Sequence, residues 1–365
     1  MDFSDITDIA IPAGDVTEIK DKNGVILWQK AVTEISTTRQ ILWVTEKKIF
    51  VVPAIVEWDG KKHTCLITSS DGINWKSSYV FNDRVSNWGT YLYYFSKSQK
   101  YIFLAFGKKA ISNDFLSWEF NNSSPQYISS NDVFRTVYSE NLDKLLTGGL
   151  GSAASAVVVS NDGVTTESNI SPYHVCFAKT INKFCAVFGI GAGLTTYKTA
   201  TSSDGLNWTS KQGNNFPEAA DISAGWHGIC YADELKKFLG ITHVLNNNNN
   251  NNYYAAFSDD GIEWTFQKAN GLEATGAGRG LFWISSLRKF IFYSGTAIFI
   301  SSDGINWTKV FFSDALFIWD MCWSETLKKC CGVVNTSDNT KFQSLVSSSN
   351  CTSWTKYTIL PMQQN

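Results

Sequence analysis

A carboxylate or its amide heads a short turn seven times along this 365-residue chain. Asp71, Asp162, Asp204, Asp260 and Asp303 each precede a glycine, Asp114 precedes Phe115, and Asn350 precedes Cys351. In six copies a tryptophan stands four residues after the anchor: Trp75, Trp118, Trp208, Trp264, Trp307 and Trp354. A carboxylate can act as a general acid or base, so the set raises the question of catalysis. A catalytic constellation is assembled once, however, and seven equivalent copies point to a structural task. The carboxylate and a serine hydroxyl can accept hydrogen bonds from the turn's own N–H groups. The glycine permits the positive φ of a tight reversal. Asp71, Asp114, Asp162, Asp204, Asp260 and Asp303 are therefore read as turn formers.

The elements that must position these turns follow from their period. Successive anchors lie 42 to 56 residues apart, a spacing that marks a repeat architecture. A second signature keeps the same period: an aromatic residue at Trp43, Phe95, Tyr138, Phe177, Tyr231, Trp283 and Trp323. Each is followed five or six residues on by a lysine (Lys48, Lys100, Lys144, Lys183, Lys237, Lys289, Lys329) and then an apolar run. Within one unit, residues 282–284, 290–293, 297–300 and 307–310 read as four short aromatic and β-branched strands. Seven such units predict an all-β, seven-bladed β-propeller of four-stranded antiparallel blades. The blades are expected at about 37–81, 86–124, 131–171, 172–213, 222–270, 274–314 and 317–361, with residues 31–36 left without a place. The asparagine run Asn246–Asn252 is placed in a loop between strands two and three of the fifth blade.

Residues 1–30 do not share the repeat. Val16 to Trp28 reads as a hairpin turning at Asn23-Gly24. A lone hairpin is marginal in water, so Ile9, Ile11, Ile19, Ile26 and Trp28 are expected to dock on a partner surface.

Propeller geometry sorts the loops. The repeated turns share one face with the turns between strands one and two. The loops from strand two to strand three vary in length and share the other face, where binding is expected. The starts of the innermost strands converge there near the axis, carrying Arg39, Tyr91, Arg135, Tyr173, His174, Trp226, His227, Arg279, Trp319 and Asp320. Aromatic faces beside a few charged forks suit a sugar ring or a polar receptor patch.

At its repeated turns the chain resembles the Asp-box (BNR-like) repeat family, whose propellers include sialidases and many surface-binding proteins. The box here is one residue shorter between Asp and Trp than the commonest family pattern. The resemblance to sialidases implies three arginines gripping a carboxylate, a Tyr/Glu nucleophile pair and an Asp acid. This chain has only Arg39, Arg84, Arg135, Arg279 and Arg288, and Arg288 falls in a turn on the box face. The family's Phe-Arg-Ile-Pro start is reduced to Phe134-Arg135-Thr136-Val137. Glycoside hydrolysis needs a facing carboxylate pair, and beyond Asp132 and Asp320 the near-axis acids are sparse. The expectation is a protein that is not an enzyme, with a sialidase-like hydrolase as the weakest alternative.

The wording of residues 5–12 and 16–28 resembles the short leader of many bacteriophage tail and virion proteins. That resemblance implies docking to other virion or tail proteins through residues 1–30, within a multi-subunit assembly. The propeller would then meet a host cell-surface glycan or receptor. A purely structural or decorating virion subunit is the alternative.

Composition bounds the remaining classes. Basic and acidic residues nearly balance, 31 against 33, so there is no electrostatic case for nucleic acid. No apolar run long enough to span a bilayer is present, nor a basic start followed by an apolar stretch. Neither membrane insertion nor a secretory signal is expected, and synthesis is placed in the host cytoplasm. The eight cysteines are read as reduced thiols, with Cys176/Cys185 and Cys322/Cys330 facing across hairpins as the pairs an oxidising medium would join. No cysteine or histidine spacing suits zinc, and no cofactor or metal is expected.

Overall fold

The computed structural model describes residues 18–20, 26–29, 34–58, 61–81, 90–105, 108–121, 136–147, 156–168, 170–188, 190–192, 196–215, 223–245, 251–273, 278–336 and 342–359. Glu18–Lys20 pairs antiparallel with Ile26–Gln29, Ile19 opposite Trp28, as a two-stranded sheet. Ile9 and Ile11 lie outside the described residues. The rest is an all-β ring of seven blades, each built on four antiparallel strands, spanning 34–81, 90–121, 136–167, 174–215, 223–268, 278–312 and 316–358. One short 3-10 turn, Lys179–Ile181, is the sole helical element among the described residues.

The middle strands of a blade face a neighbouring blade on both sides and so read as continuous apolar runs. Ala297–Ser301 is buried at all five positions, whereas the outer strand Thr308–Phe312 of the same blade is largely exposed. Burial is organised between blades rather than around one centre. Seven apolar clusters fill seven interfaces, from the one joining blades 1 and 2 around Val51, Leu66 and Phe103 to the one joining blades 7 and 1 around Phe50, Val52, Val333 and Phe342.

That last cluster shows how the ring closes. Among the described residues no strand is exchanged between the first and last blades. Instead Trp75 of blade 1 donates its indole N–H to Ser344 Oγ of blade 7 at 3.1 Å, and Ser344 Oγ donates to the Gly72 carbonyl at 2.7 Å. A Cβ on Gly72 would stand 3.1 Å from Val346 and 3.2 Å from Cys331. Gly261 and Gly304 abut the preceding blade in the same way. The seam is one more blade interface.

Of residues 31–36, unplaced by the repeat, 34–36 belong to blade 1. Glu34–Thr38 and Leu42–Val44 both pair with Ile49–Trp58 and together make its innermost strand. Two other expectations are corrected. The asparagine run is not wholly loop, because Asn251 and Asn252 pair with Leu245 and Val244 as the start of the third strand. Cys322 stands opposite Cys331, not Cys330, while Cys176 does face Cys185.

The box turn is a hydrogen-bonded cap built on its own backbone. Asp303 Oδ1 accepts the N–H groups of Ile305 and Asn306 at 2.8 Å each, and Oδ2 accepts the Asn306 amide. Trp307 closes the turn by donating its indole N–H to the Gly304 carbonyl at 2.9 Å. The serine that serves the turn is not the one written beside the aspartate. Ser301, two positions before Asp303, accepts the Gly304 N–H and donates to the carboxylate, while Ser302 faces solvent. Ser69, Ser112, Ser160, Ser202, Ser258 and Ser348 occupy the same position in the other blades. Burial pushes Asp303 upward, but these donors outweigh it and hold the carboxyl down at about 2. A depressed folded pKa means the turn's contribution is present above the ordinary carboxylate range and is lost as pH falls toward 2. Asp303→Ala is expected to destabilise by about 0.5–2 kcal/mol in urea melts at pH 7, because two backbone N–H groups exchange a carboxylate acceptor for water. A cost shrinking to nothing at pH 7 would contradict the capping role.

The turn between strands one and two of each blade is equally regular. Lys48, Gln99, Asp143, Asn182, Lys236, Arg288 and Lys328 all hold φ between 50° and 54°, one residue before strand two begins. The repeated lysine follows that residue in six blades; in blade 1 Lys48 itself takes the left-handed position.

Candidate functional site

The innermost strands of blades 5, 6 and 7 each carry a β-bulge at the same level. The pairing slips between Trp226 and Gly228, between Gly278 and Gly280, and between Ile318 and Asp320. The residues skipped by the strand register are His227, Arg279 and Trp319. A bulge leaves one residue out of the ladder and re-aims its side chain, which is why bulges gather at sites. Around blade 6 the glycines are dictated by crowding: a Cβ on Gly278 would meet His227 at 2.5 Å, and one on Gly280 the Tyr293 hydroxyl at 2.4 Å. The Gly278 N–H donates to His227 Nδ1 at 2.6 Å, tying the bulge of blade 5 to that of blade 6.

Two cavities occupy the middle of the ring. The first, about 250 Å³, is lined by Arg39, Tyr91, Tyr93, Thr136, Arg279, Tyr293, Trp319 and Asp320, among others. The second, about 350 Å³, shares Thr136, Arg279 and Tyr293 with it and adds His174, Met321 and Trp323. Two guanidinium groups converge on one indole. Arg39 lies 4.9 Å from the Trp319 ring centre, and Arg279 lies 5.5 Å from it and 4.7 Å over Phe317. Phe317 and Trp319 are themselves 4.7 Å apart. Cation–π contacts of this kind fix the plane of a guanidinium against an aromatic face.

Asp320 sits beneath this cluster. Its Oδ2 accepts the Ile41 N–H of blade 1 at 3.0 Å, and its Oδ1 accepts the Tyr293 hydroxyl at 3.0 Å and the Met321 N–H at 2.8 Å. Blades 6, 7 and 1 are thus joined through one carboxylate at the axis. Burial pushes Asp320 up to about 6, against the pull of those three donors. With the folded pKa above the unfolded one, Asp320 binds its proton more tightly in the folded state. Its contribution to stability is complete below about pH 4 and is lost as pH rises through 6. Asp320→Asn is expected to flatten the fall in stability between pH 4 and 7 by about 2 kcal/mol. The check is a series of denaturant melts on both proteins; parallel pH profiles would refute the assignment.

Of the expected site residues, Arg39, Tyr91, Arg279, Trp319 and Asp320 line the first cavity, and His174 with Arg279 lines the second. Arg135 lies outside the described residues. Three are placed elsewhere. Trp226 is 0% exposed and packs between Tyr197, Trp264 and Phe266 at the interface of blades 4 and 5. Its neighbour His227 takes the bulge, so strand alternation turns the indole into the blade. His227 is buried against His243 and Tyr253. Tyr173 packs edge-on to His174 at 5.1 Å and lines neither cavity. Tyr91 is only 3% exposed, so it serves the interface of blades 2 and 3 as well as the cavity wall. Tyr93, Thr136, Tyr293 and Phe317 were not foreseen; the aromatic positions of the first two strands were the available signal. Among the described residues no group of three or more His, Cys, Asp or Glu is placed to hold a metal ion, and no helix is long and apolar enough to cross a membrane.

No protein-family model matches the chain. No curated protein matches it either. Among solved structures, it is similar to hydrazine synthase of Kuenenia stuttgartiensis, with a TM-score of 0.59, 9% identity, 89% of this chain covered and 100% of the other. It is also similar to the extracellular domain of a protein described as a hybrid two component system from B. thetaiotaomicron, at TM-score 0.54 and 10% identity. That match covers 86% of this chain but 38% of the other. The likeness is one of fold. The chain is a seven-bladed β-propeller, and identities this low carry nothing about activity.

Proposed function

We propose that this protein is a non-enzymatic bacteriophage virion component that docks through residues 1–30. On this reading its propeller presents the axial cavity, opposite the box turns, to a host cell-surface glycan or receptor. The box turns, resembling the Asp-box family, and the leader resembling those of virion proteins support the class. The observation that carries the binding reading is the pair Arg39 and Arg279 on the Trp319 indole. Fixed forks beside aromatic faces at the mouth of a cavity suit the hydroxyl-rich edge and apolar face of a sugar ring. The non-enzymatic reading rests on Asp320, whose carboxylate is engaged by three donors of the protein itself.

The test is a glycan array and a host-cell binding assay on the full chain, with Arg279→Ala and Arg288→Ala alongside. Arg279→Ala is expected to weaken binding tenfold or more, the scale of a charge-assisted hydrogen bond. Arg288→Ala, on the box face, is expected to leave binding unchanged. A folded chain that adheres to no glycan and no host cell would sink the proposal. Turnover of a sialoside would replace it with the hydrolase reading.

A further inference from the structure

Blade 7 departs from its neighbours at two positions that touch each other. The second residue of strand two is a large apolar side chain in the other blades: Phe50, Tyr101, Leu145, Phe184, Phe238 and Phe290. In blade 7 it is Cys330. The residue after the box anchor is glycine in five blades and Phe115 in blade 2; in blade 7 it is Cys351.

These two positions meet repeatedly around the ring. A Cβ on Gly72 would stand 3.5 Å from the Phe50 ring, and one on Gly205 the same distance from Phe184. In blade 2 Tyr101 and Phe115 meet edge to face at 5.1 Å. Blade 7 replaces both members of the contact at once, and the two sulfurs lie 3.5 Å apart. Cys351 holds φ at 61°, a left-handed conformation that residues with a Cβ resist. The surrounding fold holds it there, with its side chain directed at strand two.

Cys351 is buried, so a small oxidant reaches it when the seventh box turn opens locally, and its surroundings then favour exchange. Its hydrogen bond with Cys330 draws its pKa below the ordinary thiol value, against burial, with Ser347 and Lys289 adding to the effect. Lys289 of blade 6 also donates to the Asn350 carbonyl at 3.4 Å. A thiolate favoured beside a cation is the reactive form. Cys176, by contrast, is pushed well above the ordinary value by burial.

We propose that Cys330 and Cys351 form a reversible disulfide that staples the seventh box turn to the strand beneath it, with a low-molecular-weight disulfide such as oxidised glutathione as oxidant. The Cys351 thiolate attacks one sulfur of the oxidant, forming a mixed disulfide and releasing one thiolate. Cys330 then gives up its proton and attacks the Cys351 sulfur, expelling the second thiol. Two protein thiols become one disulfide, and one small disulfide becomes two thiols. The proposal is independent of what the propeller binds.

The test equilibrates the full chain in glutathione buffers of rising oxidised fraction, quenches with acid, alkylates and maps tryptic peptides by mass. A link between peptides 330–341 and 342–356 is expected to appear with oxidation and vanish on reduction. Because the first peptide also contains Cys331, the link must persist in Cys331→Ser. It must be lost in Cys351→Gly, which restores the residue other boxes use and so preserves the fold. Oxidation is expected to raise Tm by roughly 5 °C in the parent protein and not in Cys351→Gly. Free thiols at both positions throughout, or a link at Cys176–Cys185 in place of this one, would overturn it.

Discussion

Trp226→Ala is expected to destabilise the protein by about 3–5 kcal/mol, the range for emptying a large aromatic site in a close-packed core. The indole is completely buried, 5.1 Å from Trp264, and it lies against Gly240, where an added Cβ would come within 2.4 Å of the ring. Nothing nearby can collapse into the space, since Tyr197 and Phe266 are already braced against each other at 5.1 Å. The measurement is equilibrium unfolding in guanidinium chloride with the m-value held as a check on two-state behaviour. The prediction separates two roles for this residue. A binding platform on the channel wall would lose ligand while keeping its midpoint; a blade-interface residue loses its midpoint. An unchanged midpoint would return Trp226 to the list of ligand contacts.

Trp75→Ala is expected to cost a similar amount, about 3–5 kcal/mol, and to act at one place in the ring. Trp75 is 2% exposed, fills the cluster between blades 7 and 1, and bridges the Gly72 carbonyl and the Ser344 hydroxyl. With no strand shared across the seam among the described residues, side-chain packing and the Asp320–Ile41 hydrogen bond hold the first and last blades together. Removing Trp75 should lower hydrogen-exchange protection in blades 1 and 7 before the others, because local opening follows the weakest interface. Trp307→Ala, at the equivalent position between blades 5 and 6, is the comparison. Equal costs are expected if the seam is one interface among seven. A Trp75→Ala cost far below that of Trp307→Ala would mean the ring is closed by something other than this cluster.

The count of blades was legible because the signal is local and repeated. A box needs a serine, a carboxylate, a residue of positive φ and a tryptophan within seven positions, and each copy folds on its own backbone. Locality does not choose between adjacent serines: Ser70, Ser203 and Ser302 sit beside their aspartates in the sequence, yet the hydrogen bonds go to Ser69, Ser202 and Ser301. The candidate site was legible only in part. Arg39, Arg279, Trp319 and Asp320 were found because innermost strands of a propeller must start near its axis. Trp226 and His227 lie away from the cavities because one added residue in a strand inverts the facing of its neighbours.

By itself, then, the amino-acid order determined the strands, their grouping in fours and the closing of each turn, since those depend on residues a few positions apart. Tertiary structure alone decided which side chains look into the channel. The bulges at His227, Arg279 and Trp319 arise where three blades crowd together, and the carboxylate of Asp320 meets Ile41 only because the ring brings together residues 279 positions apart in sequence.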